Sequence, residues 1–437
     1  MLAGLGASAA LLNAQTRSKP DIVVILADDL GYGDLSAWGG ADLRTPHIDA
    51  LAASGVRFDR FYSNSPVCSP TRAALLSGCY PDTVGVPGVI RTAPENSWGY
   101  LAPKPPLLPE RLHSAGYHSA LVGKWHLGLE APNLPNLRGF DHFHGFLGDM
   151  MDDYYHHRRH DRNYMRLNDR PIDPQGHATD LFTDSSIDYI ASRKALPEPY
   201  FLYIAYNAPH APVQPPKEWF ERVMQRERGI GEKRAKLVGL IEHMDAGVGR
   251  VMEALKSGGR FDNTLVIFVS DNGGDLPTGA TCGPLRGGKG QMYEGGIRVP
   301  MCASWPGRID AGTRSQSVGL TSDLCATVCE AAGVKATGID GLPLLDSMPQ
   351  RDLVWVRREG GPMYAGREFY AFRRGDWKLL QNTAFEPYEL YNLADDPRET
   401  RDLAKSEPKR YAELVAALML HVQRAGSVPW QLPLVPQ

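Results

Sequence analysis

The sequence predicts an α/β protein: a large, mostly parallel sheet packed between helices, followed by a smaller C-terminal α+β domain. Three observations predict it. Several short apolar runs each end in polar residues. Helical patterns lie between those runs. After Gly341-Leu342-Pro343 the pattern changes to closely spaced strands and an amphipathic helix.

The apolar runs come first. Ile22 to Ala27 leads into Asp28-Asp29, and His118 to Gly123 leads into Lys124-Trp125-His126. Phe201 to Tyr206 leads to Asn207 and His210, and Leu265 to Ser270 leads into Asp271-Asn272. Short, continuous, β-branched-rich runs suit strands buried on both faces, as in parallel sheets. Between them, Thr45 is placed to cap a helix with Pro46 at its first position and Gly55 at its end. Leu237, Ile241, Met244, Val248, Val251 and Leu255 fall on one face of a long helix. In such sheets ligands bind beyond the carboxyl ends of the strands. All four runs therefore deliver their polar residues to one edge.

In the C-terminal part, Phe369 to Arg373, a turn at Arg374-Gly375-Asp376, and Trp377 to Leu380 read as a hairpin. Tyr388 to Leu393 reads as another strand. Tyr411, Leu414, Val415, Leu418 and Val422 mark one face of a helix. The expected division is a catalytic domain over 21–345 and a C-terminal domain with a small antiparallel sheet over 346–437. Residues 1–20 stand apart. Leu2 to Leu12 is apolar and small, and Leu12-Asn13-Ala14 suits a cleavage site, but no positive segment precedes Leu2. Two readings stand: the remnant of an export signal, which would make the protein periplasmic or secreted, or a disordered tail.

Composition excludes several classes. The chain is 43% hydrophobic and 22% charged with a net charge of −3. A nucleic-acid-binding surface would be strongly basic, so no nucleic acid is expected as a partner. No stretch approaches the roughly 20 apolar residues that span a bilayer. Six cysteines are too few for a disulfide scaffold at this length, and no C-x-x-C spacing suggests a zinc ribbon. Cys325 and Cys329 lie one turn apart in a predicted helix over Ser322 to Ala332 and read as small core hydrophobes.

Asp28 and Asp29 are adjacent acids at the end of a buried strand, where unpaired carboxylates repel and resist desolvation. Asp271 and Asn272 end a strand of the same kind. Three carboxylates and one amide form an all-oxygen set, which suits calcium, or magnesium, rather than zinc. Either pair alone reads as turn residues; both pairs at equivalent sheet positions point to a metal site.

Ser65-Pro66-Val67-Cys68-Ser69-Pro70-Thr71-Arg72 is the second feature. Ser69 is placed to cap a helix with Pro70 at its first position. Cys68 then sits just before a helix N-terminus, which favours an anion, and Arg72 adds a fork of donors on the first turn. Spacing alone leaves Cys68 as either an activated nucleophile or a buried thiol.

Cys68-Ser69-Pro70-Thr71-Arg72 matches the C-x-P-x-R signature of the formylglycine-dependent sulfatases, and the chain resembles that family. Gly116 to His126 matches the second family signature, with Ser77 a mild departure where Thr is usual. The similarity runs from Asp21 into the Glu389-Leu390-Tyr391-Asn392-Leu393…Asp396-Pro397 region. The resemblance implies the mixed central sheet of the alkaline phosphatase superfamily. It implies that Cys68 is oxidised to formylglycine by a maturation enzyme and acts as its hydrate. It further implies calcium ligation by Asp28, Asp29, Asp271 and Asn272. Arg72 would hold the formylglycine and balance the metal-site charge. Lys124 and His126 would contact the second hydroxyl of the hydrate. His210 and Lys289 would bind sulfate at the leaving-group side. Read singly, His126 is a packed neutral histidine, His210 an exposed turn residue and Lys289 a surface lysine in a glycine loop; their joint placement with the metal pairs favours the site.

The chain looks most like the arylsulfatase and N-acetylgalactosamine-sulfatase branch, which implies a sulfated small molecule or glycan as substrate. Asp149 to Asp161 is charged and aromatic, and reads as a sugar contact or as a solvated surface loop. Three rival functions remain. A phosphonate monoester or phosphodiester hydrolase of the same superfamily typically carries His where Asn272 stands. A catalytically inactive glycan-binding relative would lack Cys68, His126 or Lys289. A cysteine hydrolase leaves the acidic pairs unexplained.

Overall fold

A computed structural model describes residues 19–345, 348–359 and 367–429. The apolar tail and Leu12-Asn13-Ala14 lie outside the described residues.

The strands are β1 (Asp21–Ala27), β2 (Val56–Tyr62), β3 (His118–Lys124), β4 (His142–Phe146), β5 (Arg158–Arg159), β6 (Arg162–Asn163), β7 (Met165–Leu167), β8 (Arg170–Pro171), β9 (Tyr200–Ala205), β10 (Thr264–Ser270), β11 (Met301–Ser304), β12 (Thr313–Leu320), β13 (Asp352–Glu359), β14 (Arg367–Arg374), β15 (Trp377–Gln381) and β16 (Glu389–Asn392). The helices are α1 (Pro46–Ala53), α2 (Cys68–Ser77), α3 (Leu108–His113), α4 (Ala178–Arg193), α5 (Lys217–Arg226), α6 (Glu232–Ser257), α7 (Glu294–Ile297), α8 (Ser322–Ala331) and α9 (Pro408–Ala425).

Ten strands form one sheet in the order β12-β2-β11-β10-β1-β9-β3-β4-β7-β8. The stretch β10-β1-β9-β3-β4 is parallel throughout, while β11 and β7 run against their neighbours. The sheet is thus mixed and mostly parallel, as expected. Side-chain alternation in β1 shows why the runs are unbroken hydrophobes. Ile22, Val24 and Leu26 enter one core with residues of α2, α3 and α8. Val23, Ile25 and Ala27 enter the other, with α1, α4 and α6. Both faces are covered, so the positions from Ile22 to Ala27 have no polar alternative. The six residues expected on one face of the long helix are all buried in α6, and Cys325 and Cys329 are fully buried in α8.

Two helix-boundary expectations on α1 fail, each for its own reason. Thr45 makes no side-chain cap, because its hydroxyl is engaged by Ser36 and Asp49. The cap comes from α6 instead: Asp245 accepts from Ile48 N at 2.8 Å and from His47 N at 3.2 Å. The helix ends at Ala53, and Gly55 serves a different purpose. A Cβ there would meet Ala303 O at 2.1 Å, so glycine permits the close approach of β11.

The four-stranded antiparallel sheet β13-β14-β15-β16 follows, including the expected hairpin. One face packs on Tyr62, Met292, Tyr293, Ile297 and Leu320 of the large layer. The other packs on Leu414 and Leu418 of α9. No helix among the described residues is long and apolar enough to cross a membrane.

Candidate active site

The carboxyl ends of β10, β1, β9 and β3 are neighbours, and the polar residues that follow them meet in one cleft. Asp29 and His126 both adopt left-handed backbone, with φ of 66° and 59°. For residues other than glycine this costs about 1–3 kcal/mol and persists where the surroundings impose it. Asp29 is held by its N–H, which donates to Asp271 Oδ1 at 3.1 Å. His126 is held through Nε2, which donates to the Ile90 carbonyl at 2.7 Å. Nδ1 of that ring is buried and has no protein partner. Burial, then Lys124 and Arg72, push its pKa well below the usual histidine range. His126 is therefore neutral, with a bare lone pair at Nδ1.

The cysteine segment departs from the expected capping. α2 begins at Cys68 itself, with Val67 as its extended cap residue. Ser69 does not cap; its hydroxyl accepts from Ile90 N at 3.1 Å. Pro70 then falls in the first turn, where a backbone N–H has no helical partner to lose. Cys68 Sγ lies 3.2 Å from Asp28 Oδ1 and 3.9 Å from Asp29 Oδ1. Burial and then the Asp28 carboxylate push its thiol well above the usual range. An unmodified Cys68 is thus a poor thiolate, and the activated-cysteine alternative loses its physical basis.

Each acidic residue has its own cation. Lys124 Nζ lies 2.6 Å from Asp28 Oδ2, Lys289 Nζ 2.6 Å from Asp29 Oδ2, and Arg72 Nη2 2.8 Å from Asp271 Oδ2. Arg72 also donates through Nε to Asp271 and through Nη1 to the Lys124 carbonyl. These pairs remove the carboxylate repulsion that the sequence suggested, so charge alone does not require a metal. Burial tends to raise Asp28, but Lys124, His210 and Arg72 hold it well below the carboxylate range. Burial and Asp28 together raise Asp271. Asn272 gives the sharper sign. Its Nδ2 donates to Asp29 Oδ1 at 2.8 Å, which leaves Oδ1 buried without a partner. A buried amide oxygen beside three carboxylates fits a hard cation.

His210 follows β9 and is largely buried rather than exposed. Nδ1 faces the Ala211 carbonyl at 2.7 Å, which assigns that nitrogen the proton. Nε2 accepts from Lys289 Nζ at 3.0 Å and lies 3.4 Å from Asp29. Lys289 is no loose surface residue. Gly287 and Gly290 on either side have φ of 75° and 86°. Gly290 N donates to Pro66 O at 2.8 Å, tying this loop to the Cys68 segment. Burial opposes the Lys289 charge, but Asp29 and its neighbours hold its pKa above the usual lysine value.

Cys68, His126, His210 and Lys289 open onto a cavity of about 740 Å³. The 149–161 segment is not simply solvated. Asp149, Met150 and Arg159 line the cavity, and the Tyr154 hydroxyl lies 2.7 Å from Asn207 O and 2.8 Å from His210 O. The C-terminal sheet contributes Arg357, Phe369 and Asn382 to the same wall.

A sulfatase family model matches residues 20–334. This chain belongs to the sulfatase family. A second model, N-sulphoglucosamine sulphohydrolase, C-terminal, matches residues 288–426 of the sulfatase. The chain is 36% identical to human N-acetylgalactosamine-6-sulfatase over 374 residues, which is 80% of this chain and 69% of that one. It is 32% identical to human arylsulfatase A over 462 residues, 91% of this chain and 86% of that one. Among solved structures, Ps i-CgsB in complex with k-i-k-neocarrahexaose superposes with a TM-score of 0.85 at 30% identity, covering 95% of both chains. The sulfatase is accordingly a sulfuric ester hydrolase.

Sequence reading missed part of this sulfatase's cavity. Asp275 had a signal, since it closes the run Asp271-Asn272-Gly273-Gly274-Asp275. Arg91, Arg357, Phe369 and Asn382 had none. They come from segments far from every motif and meet the site only through tertiary packing.

Proposed function

We propose that this sulfatase hydrolyses sulfate monoesters of a sulfated carbohydrate through a formylglycine made from Cys68 and a bound calcium ion, with magnesium the alternative. One juxtaposition carries the reading: Cys68 Sγ at 3.2 Å from Asp28 Oδ1, beside the unpartnered Asn272 Oδ1. Asp28, Asp29, Asp271 and Asn272 would hold the ion, which would supply the positive charge that polarises the sulfate. The hydrated aldehyde would supply two hydroxyls on one carbon, one to attack sulfur and one to drive release of sulfate.

The chain's own groups have distinct tasks. Lys124 and Arg72 hold Asp28 and Asp271 in place through the two short ion pairs described above. Both cations add positive charge around an anionic ester. His126 lines the cavity with Cys68 and keeps a lone pair at its buried Nδ1, which makes it the residue to take a proton from a hydroxyl of the hydrate. Lys289 and His210 bind sulfate at the leaving-group side and move a proton to the departing sugar oxygen. The names of the N-acetylgalactosamine-6-sulfatase relatives and the hexaose in the Ps i-CgsB structure support a sugar substrate. We take residues 21–345 as the catalytic domain and 346–437 as the C-terminal domain that completes its cavity wall. Action in the periplasm or outside the cell, after an encounter with a formylglycine-generating enzyme, completes the reading.

The test is direct. Made in a host with the maturation system, the peptide containing residue 68 carries an aldehyde that reacts with a hydrazide, and the protein holds close to one divalent ion per chain. Asp271→Ala loses both the ion and sulfate release. An active preparation with only thiol at position 68, or full activity in thoroughly metal-free enzyme, overturns it. Sulfate monoesters are turned over with higher kcat/KM than matched phosphonate monoesters; the reverse order would favour the superfamily's phosphonate hydrolases.

A further inference from the structure

The charged side chains that line the cavity are paired, with one exception. Arg91 and Arg357 share Glu359, at 2.7 and 3.0 Å, and Arg357 also donates to the Gly290 carbonyl at 2.6 Å, beside Lys289. Arg159 pairs with Asp149 at 3.1 Å, and His210 and Lys289 lie against Asp29 as described above. Asp275 lines the same cavity, yet its carboxylate makes no hydrogen bond or ion pair with any described residue.

The backbone beneath Asp275 is fixed. Lys289 N donates to Gly274 O at 2.9 Å, and Gly273 N donates to Gly296 O at 2.9 Å. Asp275 opens the helical turn Leu276–Thr278, where its carbonyl accepts from Thr278 N at 3.0 Å and from the Thr278 hydroxyl at 2.7 Å. An aspartate in this position ordinarily turns its side chain back onto the next N–H groups; Asp275 makes no such cap. Burial pushes its carboxyl up and Lys289 pulls it down, with Asp29 and His210 the other charges it feels. It therefore stands near Lys289 and His210, on the side assigned above to the leaving group. A partly buried acceptor without a donor is costly, and this one also repels an anionic ester. A sugar that displaces solvent from this wall removes that cost only by donating to the carboxylate. Such charge-assisted bonds are strong, and a site built around one rejects analogues that lack the donor.

Resting on the sulfate-ester reading above, we infer that Asp275 is a specificity-determining residue. It receives a neutral hydrogen-bond donor of the sugar ring, a hydroxyl or an amide N–H, and so favours sugar sulfates over sulfate esters that have no donor to offer.

Binding to the unconverted Cys68 protein is measured calorimetrically in calcium-containing buffer. The ligands are the methyl glycosides of galactose 6-sulfate and N-acetylgalactosamine 6-sulfate, each beside a counterpart methylated at its hydroxyls and, in the second, at its amide nitrogen. 4-Nitrophenyl sulfate is the anion without a donor. At least one sugar binds roughly 10- to 100-fold tighter than its methylated counterpart, the range for hydrogen bonds to a charged group. Asp275→Ala closes most of that gap, and Asp275→Asn, which keeps the size and an acceptor oxygen, retains part of it. Asp275→Ala binds 4-nitrophenyl sulfate at least as tightly as the parent, because a repelling charge is gone. A dependence on Asp275 shared by both sugars, or confined to galactose, assigns a hydroxyl; one confined to N-acetylgalactosamine assigns the amide. Sugars that bind no better than their methylated counterparts overturn the inference, as does a gap that survives Asp275→Ala. An equal loss of sugar and 4-nitrophenyl sulfate binding in that variant also overturns it, since it marks a structural role. Because binding is read without turnover, failure of the matured enzyme to release sulfate from these sugars and from 4-nitrophenyl sulfate would sink the hydrolysis reading separately.

Discussion

The imidazole of His210 has one committed nitrogen and one available to the cavity. Nδ1 donates to the Ala211 carbonyl, and this bond sets the ring so that Nε2 meets Lys289 Nζ at 3.0 Å. A proton taken up from the lysine at Nε2 can be handed to a departing oxygen from that same nitrogen, while Nδ1 keeps its bond to the Ala211 carbonyl. A sugar alkoxide needs that proton as the S–O bond breaks, whereas a nitrophenolate does not. General acid catalysis contributes roughly 10²–10⁴-fold. His210→Ala is therefore expected to slow release of sulfate from a sugar by about that range, with a much smaller loss on nitrophenyl sulfate. Equal losses on the two substrates would assign His210 to sulfate binding or folding instead, and pass the acid role to Lys289.

At the scale of elements, α1 is held at its start by another helix. Asp245 of α6 accepts from the second and third residues of α1, and Glu242 one turn earlier accepts from Arg44 N at 2.7 Å. Losing a helix cap costs about 0.5–2 kcal/mol, so Asp245→Ala lowers unfolding stability in that range. Burial, against the pull of the two backbone N–H groups, raises the Asp245 carboxyl to about 7 from an ordinary 3.8. The sign follows from linkage. A folded-state pKa above the unfolded one means the folded protein takes up a proton between those values. The stability this group contributes is full below about pH 4 and is lost as pH rises through 7. Asp245→Asn is expected to flatten the melting-temperature profile between pH 4 and 7. Parallel profiles for the two proteins would show that the carboxylate stays ionised and that the backbone donors prevail over burial.

Across the whole molecule, a buried ion cluster joins the C-terminal sheet to the catalytic layer. Lys378 of β15 lies 2.9 Å from Glu294 Oε1 and 2.7 Å from Glu399 Oε1, and all three side chains are essentially inaccessible. The Tyr62 hydroxyl donates to Glu294 at 2.8 Å, and Trp355 Nε1 donates to Ser63 O at 2.7 Å. Glu294 opens α7, a few residues after Lys289, so this cluster also braces the loop of a proposed catalytic residue. Removing one partner of a buried ion pair typically costs about 3–5 kcal/mol, because a charge is left uncompensated. Lys378→Met should therefore shift the denaturant midpoint by a corresponding amount. Adding Glu294→Gln and Glu399→Gln recovers much of the loss, since no carboxylate is then stranded. An unchanged midpoint in Lys378→Met would show that the cluster contributes no net stability.

The apolar runs ending at Ala27, Gly123, Tyr206 and Ser270 determined by themselves that the sheet would be mostly parallel and that Asp28, Asp29, Lys124, His126, His210, Asp271 and Asn272 would meet at one edge. Hydrophobic periodicity is local, and the direction of a parallel strand fixes where its following loop lies. The Cys68 motif was legible for the same reason, although its helix start was not, since capping depends on which backbone groups other segments already occupy. Tertiary structure alone decided the ion pairing. Arg91 and Glu359 are 268 residues apart, and Asp245 and Ile48 are 197 apart. Such partners share no spacing or period, and a charged side chain in the sequence looks the same whether it faces solvent or another charge. Only packing of the C-terminal sheet against the large layer places two arginines on one carboxylate beside Lys289 and completes the cavity wall.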